Sequence, residues 1–289
     1  NKNKGSKDDL NNDRGVFLVV KLRSILDKLI YNDKYDVIDG NMSDSNIGGR
    51  KGRNIRDHLF VINGIINDIN KNKQLHDIDI QIYDVVKCFD KLWFSETQND
   101  LYNAGINDDY FVTVANSNKE CDVAIKMPWG SITERKTIKD IEMQGSVMGP
   151  IKAAVNMGTI GKKMLDNPCN LYSYKNLVGI PAIEMIDDVA SIERCGMKYL
   201  VANSKINAYI EMKKLTLNDT KCKQIHIGNL NNVCPELKVH GSKIDRTEKE
   251  KYLGDQISSN CLNKIDIMER KNKSIGLISE IMMLLYDIC

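Results

Sequence analysis

The sequence predicts an α+β fold: an antiparallel sheet with helices on one face. Three observations lead there. Residues 78–84 read I-D-I-Q-I-Y-D, which sets Ile78, Ile80, Ile82 and Asp84 on one face of a period-two strand, half-buried and ending in a carboxylate. Residues 181–192 (PAIEMIDDVASI) place two acidic residues between short apolar runs, the outline of a tight hairpin. Helical and strand patterns also mix without strict βαβ alternation, which argues against a doubly wound parallel sheet.

The remaining elements follow in order. Residues 1–13 are polar and turn-forming, with Gly5-Ser6 suited to a hairpin tip, and the apolar, β-branched run 15–22 predicts a strand. A basic segment, 50–56, follows the Gly48-Gly49 break, and 59–69 has helical spacing. Residues 144–150 form a glycine-bearing turn that leads into a helix rich in small residues over 151–163. Met197, Leu200, Val201, Ala208 and Met212 share one helical face and Ile206 and Ile210 lie opposite, which predicts a helix covered on both sides. Short strands are expected at 224–227, 237–240 and 251–253, and the chain closes on a basic, then helical, segment.

The 289 residues allow one large domain or two ordinary ones. A hydrophobic fraction of 42% excludes wholesale disorder, and only 6% aromatic residues imply an aliphatic core. Forty-one Lys and Arg against 39 Asp and Glu give +2, which excludes a uniformly basic nucleic-acid coat. No apolar run reaches the roughly 18–20 residues that cross a bilayer. With no signal peptide either, an intracellular location, nucleus or cytoplasm, is expected. The eight cysteines (Cys88, Cys121, Cys169, Cys195, Cys222, Cys234, Cys261, Cys289) form no C-x-x-C pair, which predicts free thiols in a reducing compartment. The chain starts at Asn1 rather than Met and is expected to be a piece of a longer protein.

Chemistry is signalled by carboxylates at strand ends. Asp84 and the Asp187-Asp188 pair converge on one sheet edge if their strands share a sheet. Hard oxygen ligands on rigid strands suit Mg²⁺, and two such ions clamp the attacking and leaving oxygens of a phosphoryl transfer. Asp pairs are also common in plain turns. Here the flanking Ile183, Met185, Ile186 and Val189 pull the pair against a core, where adjacent carboxylates call for cations.

The series Asp84-x-x-Lys87-Cys88-Phe89-Asp90, Gln144-Gly145-x-x-x-Gly149-Pro150 and Ile186-Asp187-Asp188 resembles the palm motifs of reverse transcriptases, most closely the polymerase of non-long-terminal-repeat (LINE-type) retrotransposons. Asn12-x-Arg14-Gly15, Gly48-Gly49-Arg50-Lys51-Gly52-Arg53, Leu217-Asn218-x-x-Lys221 and Lys251-Tyr252-Leu253-Gly254 look like flanking motifs of that family, in its order. The resemblance implies a right-hand polymerase with truncated fingers over 1–75, a palm with an antiparallel sheet over 76–256, and an incomplete thumb over 257–289. A fingers segment is inserted at about 105–145.

It further implies RNA-directed DNA polymerase activity on an RNA template, a DNA primer and dNTPs, within a larger retroelement polyprotein. Asp84, Asp187 and Asp188, with the Val85 carbonyl, would hold two Mg²⁺ ions, for which Mn²⁺ can substitute. Phe89 matches the steric gate against a 2′-hydroxyl, with a core aromatic at a helix start as the lesser alternative. Gln144 and Gly145 would line the nucleotide pocket, and Arg14, with Lys2 or Lys4, would clamp the triphosphate. Lys221 matches a general acid for the leaving pyrophosphate, and is equally read as a surface lysine in a turn. Tyr252, Leu253 and Gly254 would form the primer grip.

Asp13, Met143 and the Met185-Ile186 pair depart from the family pattern, and none of them removes a metal ligand. Basic clusters at 2–56 and 243–273 suit template and primer phosphates, or two solvated faces. Cys222, His226, Cys234 and His240 are loosely finger-like, but their middle spacer is too short for a zinc finger. His58 and His76 are expected to be structural or surface residues. The alternative function is an inactive relic that only binds nucleic acid.

Overall fold

The computed structural model describes residues 17–71, 77–127, 129–140, 142–143, 145–165, 172–174, 178–180, 182–195, 200–228 and 236–259. Two helices open it, α1 (Lys21–Asn41) and α2 (Ile55–Lys71). Strand β1 (Ile78–Asp84) leads into the short α3 (Cys88–Lys91), then α4 (Phe94–Asn103) and α5 (Asp109–Lys119). A hairpin of β2 (Glu120–Val123) and β3 (Lys136–Lys139) precedes α6 (Gly149–Met157) and α7 (Thr159–Leu165). There follow β4 (Tyr172–Tyr174), β5 (Val178–Ile180), β6 (Ala182–Met185), β7 (Asp188–Arg194) and α8 (Leu200–Met212). The last strands are β8 (Lys223–Ile227), β9 (Lys238–Val239), β10 (Ser242–Lys243), β11 (Asp245–Arg246), β12 (Lys249–Tyr252) and β13 (Asp255–Ser258).

Five strands form the main sheet in the order β11-β8-β1-β7-β6, antiparallel except for the β11–β8 pair. The mixed α/β architecture and the 182–194 hairpin agree with the sequence expectation. The placement of helices does not: they cover both faces. Ile78, Ile80 and Ile82 pack on Leu59, Ile62 and Ile66 of α2, while Tyr83, Ala182 and Val189 pack on Met157, Ile160, Ile206 and Ile210 of α6 to α8.

β1 is therefore buried on both sides rather than half-buried. Its alternation is real, but the polar residues are inside. Gln81 Nε2 donates to Glu193 Oε2 (3.1 Å), Gln224 Nε2 donates to Asp79 Oδ2 (2.8 Å), and the Tyr83 hydroxyl donates to Gln81 Oε1. Buried polar groups persist only when they are hydrogen-bonded, and neighbours on β1 itself and on the adjacent β7 and β8 supply those bonds.

Other expectations shift. The run 15–22 is not a strand where it is described: residues 17–20 have no regular structure and α1 begins at Lys21. Among the described residues no strand pairs with it, and Leu18, Val20 and Leu22 stay exposed. Arg23 instead closes a helical i,i+4 pair on Asp27 (2.6 Å). The small-residue helix starts at Gly149 and breaks at Gly158. A Cβ at Gly158 would lie 2.6 Å from the Ala154 carbonyl oxygen and 2.9 Å from Asn46 Nδ2. Over its described side chains helix α8 is covered on one side: Ile206, Tyr209 and Ile210 are buried, whereas Ala208 and Met212 are exposed. Among the described residues no helix is long and apolar enough to cross a membrane. Cys88, Cys121 and Cys222 are free thiols as expected, but Cys195 is disulfide-bonded.

Candidate active site

β1 and β7 run antiparallel in a register that sets Asp84 directly opposite Asp188. Directly opposed side chains project to the same face, with Cβ atoms about 4.5–5.5 Å apart. The β6–β7 connection has two residues, Ile186 and Asp187, with Met185 opposite Asp188. Ile186 has φ +60° and Asp187 does not have a positive φ, the pattern of a type II′ hairpin turn. A β-branched residue there is strained. It is held because the Ile186 side chain packs against two hydrophobic cores at once.

The far side of β1 is tied down as well. Val85 bridges Leu217, Val86 N–H donates to the Thr216 carbonyl (2.8 Å), and Asn218 N–H donates to the Asp84 carbonyl (2.8 Å). That places Lys221, whose Nζ meets both Asp84 carboxylate oxygens at 3.0 and 2.9 Å. Under the turn, burial and then the charges of Asp187, Asp188 and Asp90 push the Cys88 thiol far up. The three carboxylates thus share one neighbourhood, in which an ammonium already sits.

Phe89 is half-buried at the start of α3, after Lys87 in the left-handed region (φ +48°). Gly149 adjoins it: a Cβ there would lie 3.9 Å from Phe89 Cε1 and 3.0 Å from the Met143 carbonyl oxygen. Gly145 is exposed with φ +106°. Leu253 (φ +49°) and Gly254 (φ +89°) form the type I′ turn of the β12–β13 hairpin. Tyr252, buried, donates its hydroxyl to the Ile183 carbonyl (3.1 Å), and burial, then Asp188 and Glu184, raises its pKa. Arg14 and Gln144 lie outside the described residues, as do Lys2, Lys4, Asp13, His76 and Cys234.

A loop from Ser43 to Gly49 is latched onto the β6 edge beside the acidic turn. Ile47 N–H donates to the Glu184 carbonyl and Glu184 N–H to the Ser45 carbonyl, both at 2.9 Å. The Glu184 side chain, fully buried, accepts from Gly161 N–H (2.5 Å) and Ser45 Oγ (3.3 Å). Burial lifts its carboxyl to about 8 against those two hydrogen bonds. Gly48 must be glycine, because a Cβ would stand 2.6 Å from Ile186 Cγ1 and 2.7 Å from its backbone nitrogen.

The latch also forms one wall of a cavity of about 540 Å³, lined by Arg50, Arg53, Asn54, Arg56 and Met185 among others. The sequence grouped these arginines as one basic cluster, but they divide. Arg50 is buried and committed to Asp39 and the carbonyls of Ser43 and Asn46. Arg23 is likewise held by Asp27, Ser117 and Asn118. Arg53 and Arg56 remain at the cavity surface.

Telomerase from Candida tropicalis, truncated from its C-terminal domain, superposes with a TM-score of 0.54 at 15% identity, covering 87% of this chain and 49% of that one. The fold is telomerase-like. Candida albicans telomerase, solved with a TWJ fragment of telomeric RNA, gives 0.51 at 11% identity over 84% of this chain and 37% of that one. The Candida tropicalis enzyme with the same kind of fragment gives 0.53 at 14%, over 82% and 38%. The chain therefore spans about half or less of each. No protein-family model matches the chain, and no curated protein matches it in sequence.

Two features escaped the sequence reading. Glu184 is one; its signal was an acid at an inward position of the apolar run A-I-E-M. The other is the partner of His226. Cys222 is not near it: that thiol sits by Asp84, raised to about 11 by burial first, and His240 is exposed in the β9–β10 turn. His226 instead lies 3.0 Å from Asp79 Oδ1 and 3.7 Å from Cys195 Sγ. His58 is buried, and burial lowers its pKa to about 4, in keeping with a structural role.

Proposed function

We propose that this chain is the catalytic core of an RNA-directed DNA polymerase of the non-LTR retrotransposon type, part of a larger polyprotein, that adds dNTPs to a DNA primer on an RNA template. The supporting observation is the register that opposes Asp84 and Asp188, with Asp187 in the turn between β6 and β7. In this reading residues 1–75 belong to the fingers, 76–256 to the palm with its insertion at about 105–145, and 257–289 to the start of the thumb.

The donor set suits Mg²⁺ or Mn²⁺. It consists of hard oxygens on strand ends, and the contact of Lys221 Nζ with both oxygens of Asp84 supports this reading, since positive charge is accommodated there. Asp84, Asp187, Asp188 and the Val85 carbonyl would hold the pair of ions, which when bound supply charge neutralisation and a more acidic primer hydroxyl. The protein's own groups do the rest. Lys221 leaves Asp84 and delivers an Nζ proton to the departing pyrophosphate. The Phe89 ring closes the space a 2′-hydroxyl would need, and Gly145, without a Cβ, lets the backbone approach the incoming nucleotide beside Gln144. Arg14 takes the triphosphate, the Tyr252-Leu253-Gly254 turn holds the primer end, and Arg53 and Arg56 face the template backbone.

Primer extension by the full-length protein tests this. Asp84→Asn and Asp187→Asn should each lower incorporation by roughly 10²–10³-fold or more while template binding, read by fluorescence anisotropy, is retained. Template binding in EDTA by a wild-type protein that incorporates nothing would overturn the polymerase reading in favour of a nucleic-acid-binding relic.

A further inference from the structure

The face of the sheet opposite Asp84 carries a second cluster of ligand-type side chains. β8, β1 and β7 are adjacent, and they deliver His226, Asp79 and, just past β7, Cys195 to one spot. Asp79 lies five residues from Asp84 along β1, about 17 Å at the usual strand rise, and its side chain points to the other face. The cluster is thus separate from the acidic turn, and nothing in the proposed polymerase chemistry uses it.

We propose that, once the Cys195 disulfide is reduced, this cluster is a zinc site with Asp79 Oδ1, His226 Nδ1 and Cys195 Sγ as ligands and a water molecule in the fourth position. The spacing fits the ion. A tetrahedral zinc about 2.0 Å from nitrogen and oxygen and about 2.3 Å from sulfur requires N···O near 3.3 Å and N···S near 3.5 Å. The observed separations are 3.0 and 3.7 Å, with all three ligand atoms within 4.8 Å of one another. A mixed S, N, O set selects zinc over the hard cations of the acidic turn.

The supporting shell is arranged as a metal site requires. Asp77 Oδ2 lies 3.9 Å from His226 Nε2, on the side of the ring away from Asp79, an ion-pair distance rather than a hydrogen bond, from which its charge favours a proton on Nε2 and leaves Nδ1 to the metal. Gln224 Nε2 donates to Asp79 Oδ2 (2.8 Å), which leaves Oδ1 aimed at the cluster. Asp79 and Gln224 are essentially fully buried, and Asp77 and His226 nearly so. Cys195 is anchored to the same patch by its N–H, which donates to the Asp77 carbonyl (2.8 Å).

The site is gated by redox state. A small-molecule dithiol transfers two electrons and two protons to the disulfide, freeing two thiols, and is itself oxidised to a cyclic disulfide. Zinc then displaces the Cys195 thiol proton to solvent as the Zn–S bond forms, and the proton shared by His226 Nδ1 and Asp79 Oδ1 moves to Nε2.

Cobalt(II) titration of the reduced, metal-free 289-residue chain is the test. We expect a sulfur-to-cobalt charge-transfer band and strong four-coordinate d–d bands that saturate at one equivalent and disappear when zinc is added. Cobalt bound by the acidic turn has only oxygen donors and gives neither. The oxidised chain should lack the bands. Cys195→Ser should weaken the charge transfer, and His226→Gln should loosen cobalt at least 100-fold. Asp77→Asn should keep the spectrum and loosen cobalt about 10–100-fold, which separates an orienting carboxylate from a merely structural one. Variants are compared only where circular dichroism matches the wild type. No charge-transfer band in the reduced wild-type chain, a measurement that needs no variant, overturns the proposal. So does an unchanged band in both Cys195→Ser and His226→Gln.

Discussion

Replacing Glu184 by Gln should make the protein more stable at neutral and alkaline pH and abolish one component of its pH dependence. The side chain is fully buried, and burial raises its pKa from an ordinary 4.5 to about 8, opposed by the Gly161 and Ser45 hydrogen bonds. Folding therefore requires this acid to take up a proton between about pH 4.5 and 8, where the unfolded chain has lost it and the folded one keeps it. Stability from this group is complete below pH 4.5, falls as pH rises toward 8, and levels off above. At about 1.4 kcal/mol per pH unit the full effect is about 5 kcal/mol, of which about 3 kcal/mol is present at pH 7.

Glutamine keeps the shape and stays neutral, so its stability should not carry this slope. Any offset from the amide's own hydrogen bonds is constant with pH. Urea unfolding of both proteins at pH 5, 7 and 8.5 measures the difference, which should widen from about 1 to about 3 and then to about 4–5 kcal/mol. Parallel stability profiles would refute the reasoning, because they would mean that the carboxyl beneath the 43–49 loop ionises freely or is reached by water.

Gly161→Ala would put a Cβ 2.1 Å from Ser45 Oγ and 2.7 Å from Glu184 Oε1. It should cost about 1–3 kcal/mol, seen as a lower Tm. Lys152→Met strands Glu142 with its Lys152 ion pair (3.0 Å) broken, both side chains being 1% exposed. A loss of about 3–5 kcal/mol is expected, with much of it regained in the Lys152→Met/Glu142→Gln double variant. Lys221→Met removes the ammonium from Asp84. Mg²⁺ binding by calorimetry should tighten while nucleotide incorporation slows; weaker Mg²⁺ binding would mean the lysine organises the site rather than holding the place of a cation.

Legibility differed from element to element. The strand 78–84 and the 182–194 hairpin were readable because period-two alternation and a two-residue acidic turn are local signals. The run 15–22 misled because β-branched composition indicates a strand only when a neighbour is present to pair with it. Asp79 and Gln81 misled differently. Alternating polar residues look solvent-facing, yet Gln224, His226 and α8 bury that face, and those partners lie more than a hundred residues away.

The sequence by itself determined the chemical inventory and its order: three carboxylates at strand ends, glycines where backbones must approach, a lysine within reach of the first acid. These depend on residue type and short-range spacing, which the chain carries locally. Only the tertiary structure decided which groups meet. It set Asp84 opposite Asp188, divided Arg50 from Arg53 and Arg56, buried Glu184 under a loop from the first fifty residues, and gave His226 to Cys195 rather than Cys222. Each of those outcomes rests on strand register and loop docking, where a shift of one residue turns a side chain to the other face.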